Sequence, residues 1–192
     1  MVKQNKFKII LASGSPRRQQ FFAAMNLDFE IRLKEIEEVF PNHLKGIEIT
    51  NYLAELKSKV FDNELLDNEL LVTSDTLVLL NDEVLGKPKD YEDAFKMLQK
   101  LSNKTHQVIT SVCFKSNQKI NLISDTTKVT FNTLSDDAIS YYLDNYKPFD
   151  KAGAYGIQDW IGLVGISKIE GSYTNVVGLP TEKVFEYLSN LE

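Results

Sequence analysis

A chain of 192 residues with 43% hydrophobic and 26% charged residues can bury a core, and its composition excludes the disordered, fibrous and membrane-embedded classes. Its net charge of -5 at pH 7 argues against a face built to cover nucleic acid phosphates, while a small anionic ligand needs only a local cluster of cations. The longest apolar stretches, such as Phe7 to Ala12 and Leu77 to Leu80, fall far short of the roughly 20 residues that cross a bilayer. Lys3, Lys6 and Lys8 precede a short apolar run that leads into Ser-Gly-Ser-Pro-Arg-Arg without a small-residue cleavage site, so no signal peptide and a cytoplasmic protein are expected.

Phe7 to Ala12 reads as a buried strand, and Arg17 to Asn26 as a helix with apolar Phe21, Phe22 and Met25. Leu27 to Glu38 supplies a second strand. Glu48 to Phe61 reads as a helix because Ile49, Leu53, Leu56 and Val60 recur at helical spacing, with Thr50 as an alternative cap. Leu70-Leu71-Val72 and Leu77 to Leu80 form one strand with Thr73-Ser74-Asp75-Thr76 set into it, and Asn81-Asp82 marks a tight turn.

Asp90 caps a helix from Tyr91 to Leu101, and strands Gln107 to Phe114 and Lys119 to Phe131 flank the Ser116-Asn117 turn. Ser135 caps a helix through Tyr142; a Gly-rich segment from Lys147 to Gln158, a strand near Ile161 to Ile169 and a helix from Pro180 to Leu191 complete the chain. No repeat, low-complexity run or linker interrupts it, so residues 1–192 are expected to form one domain. Hairpin-length connections alternate with helical crossovers, which predicts an α/β fold with one mixed central sheet and flanking helices.

The chemistry concentrates in a few places. Ser13-Gly14-Ser15-Pro16-Arg17-Arg18 leads from a strand into a helix with Pro16 at its first position, so free amides, hydroxyls and the positive helix end can bind phosphate. Arg17 and Arg18 sit in the first turn, where the macrodipole disfavours cations; an anionic ligand would offset them, and the alternative is a simple Ser15 cap with both arginines in water. The segment is neither a Walker loop nor a dinucleotide fingerprint.

Asp75 lies between two apolar runs, and a buried lone carboxylate must be paired, hydrogen-bonded or metal-bound. Glu35, Glu37, Glu38, Lys57 and Lys87 are further acids and bases that converge with it or else form ordinary solvated faces. His43 and His106 make no ligand motif, which argues against zinc. Cys113, the one cysteine, sits in an apolar strand and reads as a small packed hydrophobe. In Asp150-Lys151-Ala152-Gly153-Ala154-Tyr155-Gly156-Ile157-Gln158 small residues allow close backbone approach to a ligand, and Gln158 offers a donor and an acceptor suited to a pyrimidine edge; a structural turn would use the same glycines.

Taken in order, Leu11-Ala12-Ser13-Gly14-Ser15-Pro16-Arg17-Arg18, Ser74-Asp75-Thr76, Gly86-Lys87-Pro88, the Asp150 to Gln158 segment, and Gly171-Ser172-Tyr173 with Asn175-Val176-Val177-Gly178-Leu179-Pro180 resemble the Maf-like nucleotide pyrophosphatases over nearly the whole chain. The resemblance implies a two-lobed α/β fold around a cleft, akin to inosine triphosphatases, and hydrolysis between the α- and β-phosphates with a divalent cation, Mg2+ or Mn2+. Asp75 matches the proton acceptor; Ser13, Arg17, Arg18, Lys57 and Lys87 match phosphate-holding positions; and Glu38 with Asp75 would hold the metal. Arg17, Thr76 and Gln158 match the positions linked to substrate choice, and the Gly-Ile-Gln ending resembles the dTTP/UTP branch.

Ser74 stands where the family more often has alanine, and Ser58 follows Lys57 where alanine would be expected. The expected partner is a small-molecule nucleotide, with a homodimer left open and neither nucleic acid polymer nor membrane involved. Competing readings are the same chemistry on 7-methyl-GTP or a modified nucleotide, and a nucleotide-binding regulator of cell division without turnover.

Overall fold

In the computed structural model, residues 7–191 are described; Lys3 and Lys6 of the basic N-terminus lie outside them. The elements run β1 (Lys8–Leu11), α1 (Pro16–Ala24), β2 (Phe29–Ile31), α2 (Ile47–Lys59), β3 (Glu69–Leu80), β4 (Glu83–Leu85), α3 (Tyr91–Leu101), β5 (Thr105–Lys115) and β6 (Ile120–Phe131). Then come α4 (Asp136–Tyr146), a 3-10 turn at Ala152–Ala154, α5 (Trp160–Gly165), β7 (Ile166–Glu170), α6 (Tyr173–Val177) and α7 (Thr181–Ser189). The strands form a seven-stranded sheet in the order β2-β1-β3-β5-β6-β7, with β4 also on β3. It is mixed, since β1 runs parallel to β2 and β3 while β4 and β7 pair antiparallel with β3 and β6.

The chain divides into two compact units, the first drawn from residues up to Asp75 with Thr110–Asp125 and from Gly178 on, the second from Thr76–Ile109 and Thr126–Val177. In the first unit, side chains alternate across the pleat as a strand buried on both faces demands. Ile9, Leu11, Leu70 and Val72 pack with Phe22 of α1 and Val184 and Leu188 of α7, whereas Ile10 and Leu71 pack with Phe61 and Leu65. A chain of hydroxyls running from the buried Thr50 and Ser111 to the half-buried Ser124 fixes α2: Thr50 Oγ1 lies 2.7 Å from Ser111 Oγ, which lies 3.0 Å from Ser124 Oγ, and the latter donates to Asn51 Oδ1 at 2.7 Å.

The second unit has its own core, in which Val78 and Leu80 of β3 and Val108 of β5 pack with Leu98 and Leu101 of α3 and with Ile139 and Tyr142 of α4. Its helix starts follow local capping: Asp90 accepts from the Asp93 N–H at 2.9 Å and Ser135 from that of Ala138 at 3.2 Å. Asn81 and Asp82 both take positive φ, at 48° and 67°, the geometry of the tight hairpin turn into β4.

Three local expectations change. Thr50 is no cap; it lies inside α2, fully buried, with its hydroxyl also donating to the Ile47 carbonyl, and Gly46 occupies the N-cap position. The second strand shrinks to Phe29–Ile31. The apolar run from Ile161 is first a helical turn, Trp160–Gly165, and only then the strand Ile166–Glu170. A Cβ on Gly162 would fall 1.8 Å from the Ile157 carbonyl oxygen, so that turn closes only on glycine. Among the described residues no helix is long and apolar enough to cross a membrane.

Candidate functional site

The loop between β1 and α1 is organised by Ser13 and Arg18. Ser13 is buried, its Oγ accepts the Ser15 N–H at 3.3 Å, and its carbonyl accepts from Gln19 Nε2 at 3.0 Å. Ser15 is the N-cap residue of α1 without a side-chain capping bond, and Pro16 opens the helix as the sequence indicated. No acidic residue occupies that first turn, where the positive helix end disfavours the charges of Arg17 and Arg18.

Oxygens from three separate segments help to anchor Arg18. Its Nε donates to the Gly178 carbonyl at 2.9 Å, and its Nη1 donates to the Ser74 carbonyl at 3.0 Å and to Ser13 Oγ at 3.4 Å. One guanidinium therefore ties the opening loop to the residue preceding Asp75 and to the segment entering α7. Burial pulls its pKa below the ordinary arginine value, opposed by the negative charges of Asp75 and Glu38. It stays a cation at neutral pH, because an arginine side chain is not deprotonated there.

Asp75 closes this arrangement. It is 6% exposed, so its charge needs a partner, and Lys57 Nζ of α2 donates to its Oδ1 at 2.7 Å. The same ammonium lies 3.2 Å from Glu38 Oε2. Glu38 is thus the member of the acidic run that meets Lys57, while its own side chain remains 45% exposed. The register of α2 on β3 is set beside this contact by Thr73, whose buried hydroxyl donates to the Ala54 carbonyl at 2.6 Å. Ser58, next to Lys57, is fully buried and donates back to the Glu55 carbonyl at 2.7 Å, which lets a hydroxyl occupy a position where a methyl would suffice.

The first unit thus gathers Ser13, Arg18, Glu38, Lys57 and Asp75, with Arg17 on the same helical turn as Arg18. Glu38 and Asp75 are hard oxygen donors of the kind that Mg2+ and Mn2+ take. Among the described residues no group of three or more His, Cys, Asp or Glu is placed to hold an ion. The pair therefore fits a cation that draws its remaining oxygens from phosphate and water, and it does not fit a closed structural metal cage.

Thr76, Lys87 and Gln158 belong to the second unit. Thr76 follows Asp75 within β3, and Lys87 is exposed after β4. The Lys87 loop is joined to the glycine-rich segment, because the Gly153 N–H donates to the Gly86 carbonyl at 3.0 Å. Gly153 has φ of 70° and packs so closely on Val78 that an added Cβ would lie 3.0 Å from its methyl carbon. Gln158 is exposed at the end of five buried residues, Gly153 to Ile157.

Two residues around Gln158, Tyr142 and Asp159, carry no mark of this role in the sequence. Tyr142, fully buried on α4, accepts the Gly156 N–H at 3.0 Å and donates to Asp159 Oδ2 at 2.7 Å. A tyrosine on an apolar helix face reads as core. Two further groups named from sequence are structural: His106 is buried with Nε2 2.7 Å from the Tyr155 hydroxyl, burial lowering its pKa to about 4, and Cys113 is buried with its thiol pKa raised.

The family model for Maf-like protein matches residues 8–191. The chain is 73% identical over 183 residues to the dTTP/UTP pyrophosphatase of Flavobacterium psychrophilum, covering 95% of this chain and 94% of the relative. It is 64% identical to the protein of that name from Flavobacterium johnsoniae (98% and 97% covered) and 53% identical to that from Christiangramia forsetii (96% and 94%). With the match running from β1 to the end of α7 and such identities holding over nearly the full length, the chain belongs to the Maf-like protein family.

Proposed function

We propose that this protein hydrolyses dTTP and UTP to the nucleoside monophosphate and pyrophosphate, as one catalytic domain working with a divalent cation in the cytoplasmic nucleotide pool. The observation that carries the reading is Lys57 Nζ held between Asp75, at 2.7 Å, and Glu38, at 3.2 Å. A carboxylate ion-paired in a buried strand, a second one half in solvent, and cations from two helices suit a polyanionic substrate whose anhydride is attacked by water. The names of the close relatives support the substrate.

Phosphoryl chemistry asks a protein mainly for positioning and charge neutralisation. Ser13, Arg17, Arg18, Lys57 and Lys87 hold the phosphates. Lys57 exchanges part of its bond to Asp75 for a phosphate oxygen, which frees a lone pair of Asp75 to take the proton of the water that attacks the α-phosphorus. The bond from that phosphorus to the bridging oxygen breaks, and the cations stabilise the departing pyrophosphate. Glu38 and Asp75 are the residues that would hold Mg2+ or Mn2+, which when bound would neutralise phosphate charge and make water more acidic. Thr76, Gln158 and Arg17 select the base.

The test is a panel of dTTP, UTP, CTP, GTP and 7-methyl-GTP with Mg2+ or Mn2+ in oxygen-18 water. The expected outcome is preferred turnover of dTTP and UTP, pyrophosphate as product and the label in the monophosphate. Label in pyrophosphate, or release of orthophosphate, would overturn the mechanism; preference for 7-methyl-GTP would overturn the substrate, and binding without turnover would leave a regulator.

A further inference from the structure

Gln158 occupies the third position of a four-residue turn, Gly156-Ile157-Gln158-Asp159, closed by the Asp159 N–H donating to the Gly156 carbonyl at 3.0 Å. Both ends of that turn are held by one oxygen. The Tyr142 hydroxyl accepts the Gly156 N–H at 3.0 Å and donates its own proton to Asp159 Oδ2 at 2.7 Å. The turn is also sterically committed, since a Cβ on Gly156 would lie 2.5 Å from Asp159 Oδ2. Past the turn, the Gly162 N–H donates to the Asp159 carbonyl at 2.9 Å, fixing the start of α5 to the same residue.

Packing alone does not call for this hydroxyl. The ring of Tyr142 is fully buried in the α3–α4 core, where phenylalanine would fill nearly the same volume. A buried hydroxyl costs free energy unless bonded, and here both of its bonds go to the backbone and side chain that bracket Gln158. Burial, and then the bond to Asp159, raise the phenol pKa well above its ordinary value, so the hydroxyl remains a donor at any working pH. Lys151, paired with Asp150 at 2.9 Å, also stands 3.9 Å from Asp159 Oδ2.

We propose that Tyr142 and Asp159 are positioning residues for base selection: they clamp the turn from both ends so that the exposed Gln158 amide meets the base in one orientation. This rests on the reading of Gln158 as the base-selecting amide. A glutamine amide can rotate to suit either the N3–H and carbonyl of uracil or the reversed pattern of cytosine, so its discrimination depends on how rigidly its backbone is held. The clamp supplies that rigidity at a residue whose side chain has none of its own.

The experiment is a double-mutant cycle on the full chain, wild type, Tyr142→Phe, Gln158→Ala and the double variant, with kcat/KM measured for dTTP, UTP and CTP. Tyr142→Phe should lower the dTTP-to-CTP ratio roughly five- to tenfold, the worth of one hydrogen bond, while CTP turnover changes little. In the Gln158→Ala background the same substitution should leave the ratio where it is. A Tyr142→Phe enzyme that loses activity on all three nucleotides equally, or keeps the wild-type ratio while Gln158→Ala alters it, overturns the clamp and leaves Gln158 standing. An unchanged ratio in Gln158→Ala overturns both. Should Tyr142→Phe not fold, Asp159→Ala removes the acceptor at the other end of the turn, with the same expected and overturning results.

Discussion

The ion-paired cluster of the first unit and the clamped turn of the second solve opposite problems. Asp75, Lys57 and Arg18 are charged groups in half-buried or buried positions with exposed Glu38 at their edge, and each is already satisfied by another protein group. Gln158 is neutral and exposed, and what is satisfied around it is the backbone beneath. A charge in such a place is expensive to leave alone, so its partners must be ones a substrate can replace; an amide in water costs little, and only its direction has to be set. The two regions should therefore fail differently, the first in rate on every nucleotide and the second in choice among nucleotides.

The largest break is expected at Asp75→Asn, which keeps the size and one acceptor but loses the base and an anionic ligand. Turnover should fall about 10²- to 10⁴-fold on all nucleotides, with the dTTP-to-CTP ratio preserved. Steady-state kinetics on the purified variant decide it: retention of more than about a tenth of the rate contradicts the general-base role.

Lys57→Met comes next. Loss of a charge-assisted hydrogen bond is worth about 1.5 to 3 kcal/mol, or roughly 10- to 150-fold in kcat/KM, again on every nucleotide. Steady-state kinetics on the nucleotide panel check it: a loss confined to one base would contradict a role for Lys57 on the phosphates and Asp75.

The selectivity break is smaller. Gln158→Ala should compress the dTTP-to-CTP ratio of kcat/KM by about 1 to 3 kcal/mol, the cost of a lost hydrogen bond in a site, and leave turnover of poor substrates intact. A fall on all substrates alike would make Gln158 a structural turn residue.

Features set by bonds between near neighbours were legible in the sequence. Pro16 starting α1, Asp90 and Ser135 capping α3 and α4, and the Asn81-Asp82 turn each act on backbone within a few residues. Asp75 could be flagged because apolar runs on both sides implied burial before any partner was known. Its pairing with Lys57, 18 residues away, follows only from the seating of α2 on β3. Tyr142 and Asp159, 17 residues apart, carry no local mark at all. The Ile161 to Ile169 stretch misled because a short apolar run fits a helical turn as well as a strand, and the close approach of Gly162 to Ile157 decided between them.

The smallest expected effect separates backbone from side chain within the first unit. Ser74 is 2% exposed, and among the described residues its Oγ has no hydrogen-bond partner. Its carbonyl, by contrast, accepts from Arg18 at 3.0 Å. Alanine at this position would keep that carbonyl and discard the hydroxyl. A buried donor left unsatisfied costs about 1 to 3 kcal/mol, offset in part by the contacts the oxygen makes. Ser74→Ala should then stabilise the protein by about 1 kcal/mol, which for a chain of this size is roughly 2 to 4 °C in Tm. Turnover should stay within about twofold of wild type, because neither Arg18 nor Asp75 loses a bond; one such bond would be worth about 1 kcal/mol or more. Calorimetry and dTTP kinetics on the same preparation give both numbers. A lower Tm would mean that the hydroxyl is bonded in solution, and a raised Tm with a large loss of turnover would assign it to the nucleotide.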